Sequence, residues 1–386
     1  MVSKYEQLVP VLFGEGAIKQ LGEQVKALSC KKVLLISDAG VKAAGIGAKA
    51  EDSLKAAGMA YEIFDTVPPE PPSNLVDEIS AKAKASGVDG VIGVGGGSSL
   101  DMAKAVAVML TNEPPYRQYL NYGEPPRYMV SSVPIVLVPT TAGTGSECTQ
   151  VSVIHDEVRN LKLSIFVRST LAILDPELTY TVPPHVTAMT GLDAFSHAVE
   201  SITAKNWNPR SELLAVSAIE KITKYLAAAV EDGSNKEARY NLCLASNWAG
   251  IAFADTDVHY GHASADALSA AFHTPHGMNC AWVTPGIIKL VAPAVPEKVK
   301  LIGQAMGLTF TGSETPEQIG DMVAAEHRKL MKAAKLRTMK EQGITREQVL
   351  ACAPNTLGSG LVHNCPVAPN EKIAEELMAE IYDNYQ

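Results

Sequence analysis

Val88-Asp-Gly-Val-Ile-Gly-Val94 runs without interruption into Gly95-Gly96-Gly97-Ser98-Ser99-Leu-Asp101-Met-Ala-Lys104, and this junction decides the fold. A short apolar run reads as a strand buried on both faces, and Ala105 to Leu110 reads as the helix it feeds. Glycines between a strand and a helix N-terminus let backbone N–H groups approach a pyrophosphate with no Cβ in the way. The spacing departs from the usual first-turn dinucleotide fingerprint, because Ser98 stands where its last glycine belongs and the turn sits near residue 95.

Upstream, Lys31-Lys-Val-Leu-Leu-Ile-Ser-Asp38 is another buried strand, ending in a carboxylate. An acidic residue there either holds a ribose hydroxyl or caps the next helix. Residues 45 to 58 read as a helix, Met59 to Val67 as a strand, Pro68 to Pro72 as a stiff connection, and Ser73 to Ser86 as a helix. Downstream, the strand Pro134-Ile-Val-Leu-Val-Pro139 leads into Thr140-Thr141-Ala-Gly143-Thr144-Gly145-Ser146-Glu147. Its hydroxyls and bare backbone suit a polar ligand, or a loop of Ser/Thr turns. A last strand and turn, Ala172-Ile-Leu-Asp175-Pro-Glu-Leu178, closes this half. Alternating strands and helices imply a Rossmann-like, doubly wound, mostly parallel sheet with ligands at the strands' carboxyl ends.

Beyond about Thr179 the strand signal disappears, and residues 185 to 230, 236 to 254, 262 to 273, 293 to 306, 315 to 333 and 370 to 383 read as helices. Two domains follow: 1–180, α/β, and 181–386, all helical. In the second, Gly191-Leu-Asp193-Ala-Phe-Ser-His197-Ala-Val-Glu200 places Asp193 and His197 on one helix face, one turn apart. His262 opens an alanine-rich helix, and His276 sits in the Thr-Pro-His-Gly turn after it. One carboxylate and three imidazoles suit a divalent ion, iron or zinc. The bland alternative, capping or surface pairs, fits poorly with His259, His262, His273 and His276 crowded into an apolar region, where imidazoles without partners are costly.

A net charge of −9 with no basic stripe argues against nucleic acid or an acidic membrane as partner. Six scattered cysteines without a Cys-x-x-Cys pair point away from disulfides and thiolate zinc sites, and toward the cytoplasm. The residues from Met1 lack an apolar signal core, and no run reaches membrane-span length.

Together, the turn Gly95 to Ser98 with Asp101 and Lys104, Pro139 to Glu147, Asp175 to Leu178, Gly191-x-Asp-Ala-x-x-His-Ala-x-Glu200 and Pro275-His-Gly277 resemble the iron-containing (group III) alcohol dehydrogenases over nearly the whole chain. The resemblance implies a dehydroquinate synthase-like architecture and hydride transfer between NAD and a primary alcohol, small diol or the corresponding aldehyde. It also implies Fe2+ or Zn2+ on Asp193, His197, His262 and His276, and a homo-oligomer. Asp38 matches the residue that favours NAD over NADP. Gly96, Gly97, Ser98 and Asp101 match pyrophosphate and ribose contacts, and Thr140, Thr141, Thr144, Thr149, Lys162 and Leu178 match further cofactor positions. Family members commonly carry a proton-relay histidine where this chain has Asp266, and His273 falls at a pocket position, so these two are the catalytic candidates. The rival readings are a dehydroquinate-synthase-like lyase and a non-catalytic nucleotide-binding protein. The Pro-His-Gly turn and the lack of a basic pocket speak against the lyase.

Overall fold

The computed structural model describes residues 5–120, 129–159 and 161–385, so the first four residues, where a signal segment was weighed, lie outside it. The chain separates into two compact units, Glu6–Thr181 and the remainder from Val182, with Tyr5 belonging to the latter.

The first unit holds β1 (Val11–Phe13), α1 (Leu21–Ala27), β2 (Lys32–Ile36), α2 (Ala39–Ala43), α3 (Ile46–Ala56), β3 (Ala60–Phe64), α4 (Ser73–Ala85), β4 (Gly90–Gly95), α5 (Gly97–Met109), β5 (Ile135–Pro139), β6 (Val151–Asp156), β7 (Leu161–Phe166) and β8 (Leu171–Leu174). Six strands form one parallel sheet in the order β1-β8-β5-β4-β2-β3. Side chains alternate across it, as strand geometry requires. Leu34, Ile36, Ile135 and Leu137 pack with α4 and α5 on one face. Val33, Leu35, Val136 and Val138 pack with α1 and α3 on the other. Because β3 lies on one side of β2 and β4 on the other, the strand order reverses between β2 and β4. That is where doubly wound sheets bind ligands. The edge strand β1, the antiparallel hairpin β6–β7 and the short helices α1 and α2 went unread in the sequence.

The second unit is helical: α6 (Pro184–Thr203), α7 (Pro209–Glu231), α8 (Lys236–Thr256), α9 (Tyr260–Phe272), α10 (His276–Val291), α11 (Pro296–Ala305), α12 (Pro316–Ala333), α13 (Arg346–Leu350), α14 (Ala353–Leu357) and α15 (Glu371–Asp383). The helix expected over 185 to 230 is broken at Ala204. Asn208 then starts α7 with a reciprocal cap to Ser211 and with Pro209 in the first turn. A larger difference concerns His276, which begins the 16-residue helix α10 rather than lying in a connecting turn. None of the described helices is long and apolar enough to cross a membrane. All six cysteines are free and buried.

His327 of α12 is fully buried, with its ring 4.6 Å from that of Phe195. Burial, aided by the Arg328 charge, pushes its pKa down to about 3. The unfolded chain binds a proton near pH 6.5 that the native chain refuses until about pH 3. Stability therefore falls as pH falls through that window, by up to about 1.4 kcal/mol per pH unit. Urea unfolding at several pH values is expected to show His327→Leu with a flatter acid slope than the parent, by about one proton.

Candidate metal centre and nucleotide cradle

In the helical unit, the centre of the site is a carboxylate out of reach of water. Glu200 on α6 is 2% exposed and accepts the backbone N–H of His259, just ahead of α9. Its Oε1 stands 3.2 Å from His262 Nδ1 and its Oε2 3.7 Å from His259 Nδ1. Burial opposes ionisation of Glu200, but the His259 and His262 imidazoles outweigh it and hold the carboxyl below its usual value. The sequence assigns Glu200 no role. It is buried against His259 and His262. His259 Nε2 in turn lies 2.9 Å from Thr203 Oγ1. This approach of α9 to α6 demands Gly261, since a Cβ there would overlap Glu200 Oε1. Gly277 does the same for α10, where a Cβ would crowd the Met189 carbonyl and Asp193.

With Nδ1 turned to Glu200, His262 presents Nε2 to a cluster. Atoms from Asp193, His262, His276 and Cys280, one each, lie within 4.8 Å of one another. Cys280 Sγ is 3.4 Å from His276 Nε2, which is 3.9 Å from Asp193 Oδ1. Asp266 Oδ1 stands 3.5 Å from His276 Nδ1, so a carboxylate lies behind each of these two histidines. Burial pushes the Asp193 pKa up to about 6, and burial likewise pushes the Cys280 thiol up to about 12. Burial alone would lower His262, but Cys280 and Glu200 carry it well above its ordinary value.

These residues fit a divalent cation. Asp193 Oδ1 and His262 Nε2 are buried with no hydrogen-bond partner, a costly state unless something else binds them. The 3.4 Å and 3.9 Å separations at His276 Nε2 are close to the edge of a tetrahedron with ligand bonds of about 2.0–2.3 Å, roughly 3.3–3.8 Å. His197, expected among the ligands, stacks on Phe253 at 4.2 Å and on His262 at 4.6 Å between ring centroids. His273 caps the C-terminus of α9 in a left-handed conformation, φ 53°, and donates its backbone N–H to Ser269. Cys280 was not singled out in the sequence. The signal was there: it follows His276 by four residues, a spacing that makes the two neighbours one turn apart once the segment is a helix.

In the first unit, Gly96 caps α5, a helix of 13 residues whose first N–H groups have no helical acceptor. Asp38 Oδ1 accepts from Gly40 N and Val41 N, and Oδ2 accepts from the Ser99 hydroxyl at 2.8 Å. Thr140 N donates to Gly95 O, and the Thr141 and Thr144 side chains border Gly96 and Gly97. Asp38, Gly96, Gly97, Ser98, Thr140, Thr141 and Thr144 thus gather at the carboxyl ends of β2, β4 and β5.

One layer below lies Lys104, fully buried, whose ammonium donates to the carbonyls of Ser146 and Val151 and to the hydroxyls of Ser146 and Thr149. Asp101 accepts from Ser146 Oγ at 2.7 Å and lies 3.6 Å from the Lys104 ammonium. Thr149 belongs to this buried layer. Leu178 is fully buried in the core, and Lys162 on β7 pairs with Glu70 at 2.7 Å.

Residues 9–176 match the family described as iron-containing alcohol dehydrogenase, and 187–384 match its C-terminal region. The chain is 35% identical to choline dehydrogenase of Bacillus subtilis (strain 168), over 93% of its own length and 90% of that protein's. A crystal structure of 1,3-propanediol oxidoreductase superposes with a TM-score of 0.92 at 31% identity, covering 98% of this chain and 100% of that one. Sulfoacetaldehyde reductase from Bifidobacterium kashiwanohense, in complex with NAD+, superposes at 0.88 with 27% identity, and both chains are covered in full. The chain belongs to the iron-containing alcohol dehydrogenase family, a family of oxidoreductases.

Gly261→Ala should push Glu200 off His262 without harming the helix, since alanine is the better helix former. Zinc affinity, measured by competition with a chromophoric chelator, is expected to fall about 10–100-fold, as for lost outer-shell support. Glu200→Gln should give a loss of the same order without the steric clash.

Proposed function

We infer that the chain transfers hydride reversibly between NAD and a primary alcohol, small diol or the matching aldehyde, at a divalent metal held by the helical unit. The observation that carries this is the convergence of Asp193, His262 and His276 donor atoms, two of them buried without partners. A divalent ion there, Fe2+ or Zn2+, would act as a Lewis acid, easing loss of the alcohol proton or polarising the aldehyde carbonyl.

The remaining roles fall to the chain's own groups. Glu200 and Asp266 fix the ring orientations of His262 and His276, so that each presents its other nitrogen to the cluster. Asp266, with a side chain 43% exposed, is in contact with both solvent and the site, which suits it to take the proton an alcohol gives up. His273, about two turns beyond it, would line the substrate position. At the sheet, the N–H groups after Gly96 receive a pyrophosphate while Ser98, Thr140, Thr141 and Thr144 supply hydroxyls. Asp38 accepts from a ribose hydroxyl and repels a 2′-phosphate. Asp101 and Thr149 would support this cradle from beneath through Lys104. Lys162 and Leu178 are retained as family-matched cofactor positions. Small terminal alcohols or aldehydes are named in several relatives, among them choline, sulfoacetaldehyde and 1,3-propanediol.

Cofactor reduction with a panel of small primary alcohols and diols is expected to need NAD and to stop when a chelator strips the metal. Restoring Fe2+ or Zn2+ should restore it. Asp193→Ala is expected to lose bound metal and turnover together, whereas full metal occupancy in that variant would defeat the assignment. Asp38→Ala should shift kcat/KM toward NADP by about 10-fold, equivalent to about 1.4 kcal/mol.

A further inference from the structure

Pro68-Pro69-Glu70-Pro71-Pro72 joins β3 to α4, and in a parallel sheet such a connection leaves from the carboxyl end of its strand. The glycine turn before α5 leaves from the same edge, and α4 and α5 pack side by side on one face of the sheet. The two connections are therefore neighbours along one rim. Four prolines stiffen the stretch around Glu70, yet Glu70 itself holds φ at 51°, in the left-handed region that side chains other than glycine rarely adopt. Such a conformation persists only where its surroundings over-determine it. The hairpin β6–β7 does this. His155 N donates to the Pro71 carbonyl at 3.0 Å, and Glu157 Oε2 accepts from the Ser73 N–H at 3.1 Å and from its hydroxyl at 2.8 Å. Lys162 lies directly across the hairpin from His155, and its ammonium stands 2.7 Å from Glu70 Oε1.

We propose that Glu70 is a positioning residue for the dinucleotide: it fixes the Lys162 ammonium at the rim, where that ammonium donates to an acceptor oxygen of the bound cofactor. This rests on the NAD-dependent reading of the cradle and adds to it the group that aims Lys162. An ammonium carries three N–H donors, and the pair with Glu70 occupies one of them. Lysine is a point charge on a flexible four-carbon stem, so its head takes a defined place only when a partner selects one. Glu70 is such a partner, because the prolines on either side and the hairpin beneath leave its own backbone no alternative. A purely structural link accounts poorly for the arrangement. Side chains 24% and 38% exposed form an ion pair that contributes little to stability, too little to explain a left-handed glutamate.

Calorimetric titration of NAD into the full-length protein and its Glu70→Gln and Lys162→Met variants tests this. Each single variant is expected to bind NAD about 10-fold more weakly than the parent, and the double variant no more weakly than Lys162→Met alone. In turnover, KM for NAD should rise by the same factor while kcat is unchanged, and the urea midpoint of unfolding should stay that of the parent. Parental NAD affinity in Glu70→Gln, or losses that simply add in the double variant, overturns the positioning role. Tighter binding in Glu70→Gln overturns it as well, because the pair would then compete with the cofactor for the ammonium. A lowered urea midpoint with parental affinity marks the pair as structural and also sinks the proposal. If the parent binds no NAD, the cofactor reading itself fails, and this inference with it.

Discussion

The helical unit depends on one ion that cannot reach water. Sealing a carboxylate into a protein interior carries a penalty of several kcal/mol, offset only while its partners stay in place. Glu200 meets that condition with a backbone N–H and two imidazoles, all from the segment that begins α9. The constraint propagates. It removes the side chain at residue 261, sets the register of α9 against α6, and turns the far nitrogen of His262 toward Asp193. Asp266 repeats the arrangement at His276 in a more exposed setting. The cluster of potential donors is therefore positioned by carboxylates that are not themselves members of it.

The sheet unit is built around a different constraint, bare backbone at the carboxyl ends of its central strands. The reversal of strand order between β2 and β4 opens a space at their carboxyl ends, and the turn after β4 fills its rim with amide hydrogens rather than side chains. Asp38 shows that capping a helix and facing that rim need not exclude each other. One oxygen serves the first turn of α2 while the other is turned to Ser99.

Much of this was legible in the residue order. β2, β4 and β5 announced themselves as apolar runs bounded by turn residues, and the glycine turn after β4 and the helix of Asp193 lie where the sequence placed them. What escaped has physical causes. β1, with three residues, has too few positions for any periodicity and is held by pairing to β8. The hairpin β6–β7 includes polar residues such as Ser152, His155, Lys162 and Ser164 among its apolar ones, which blurs the strand pattern. The cost was greatest at His276. The Pro275 before it and the glycine after it read as a turn, so α10 was not expected, and the next helix foreseen, 293 to 306, corresponds to α11. The one-turn relation to Cys280 was hidden with it. Glu200 could not be assigned from sequence, because whether a helical glutamate faces water or a neighbouring helix is decided by tertiary packing.

Lys104 carries one more consequence. Its buried ammonium joins α5, whose N-terminus forms one lip of the cradle, to the segment after Thr144, which forms the other. The two lips are thereby locked as a single rigid frame before any ligand arrives. The conformational entropy of ordering them is lost during folding rather than at each encounter, which in general lets a small ligand bind more tightly than its few contacts would suggest.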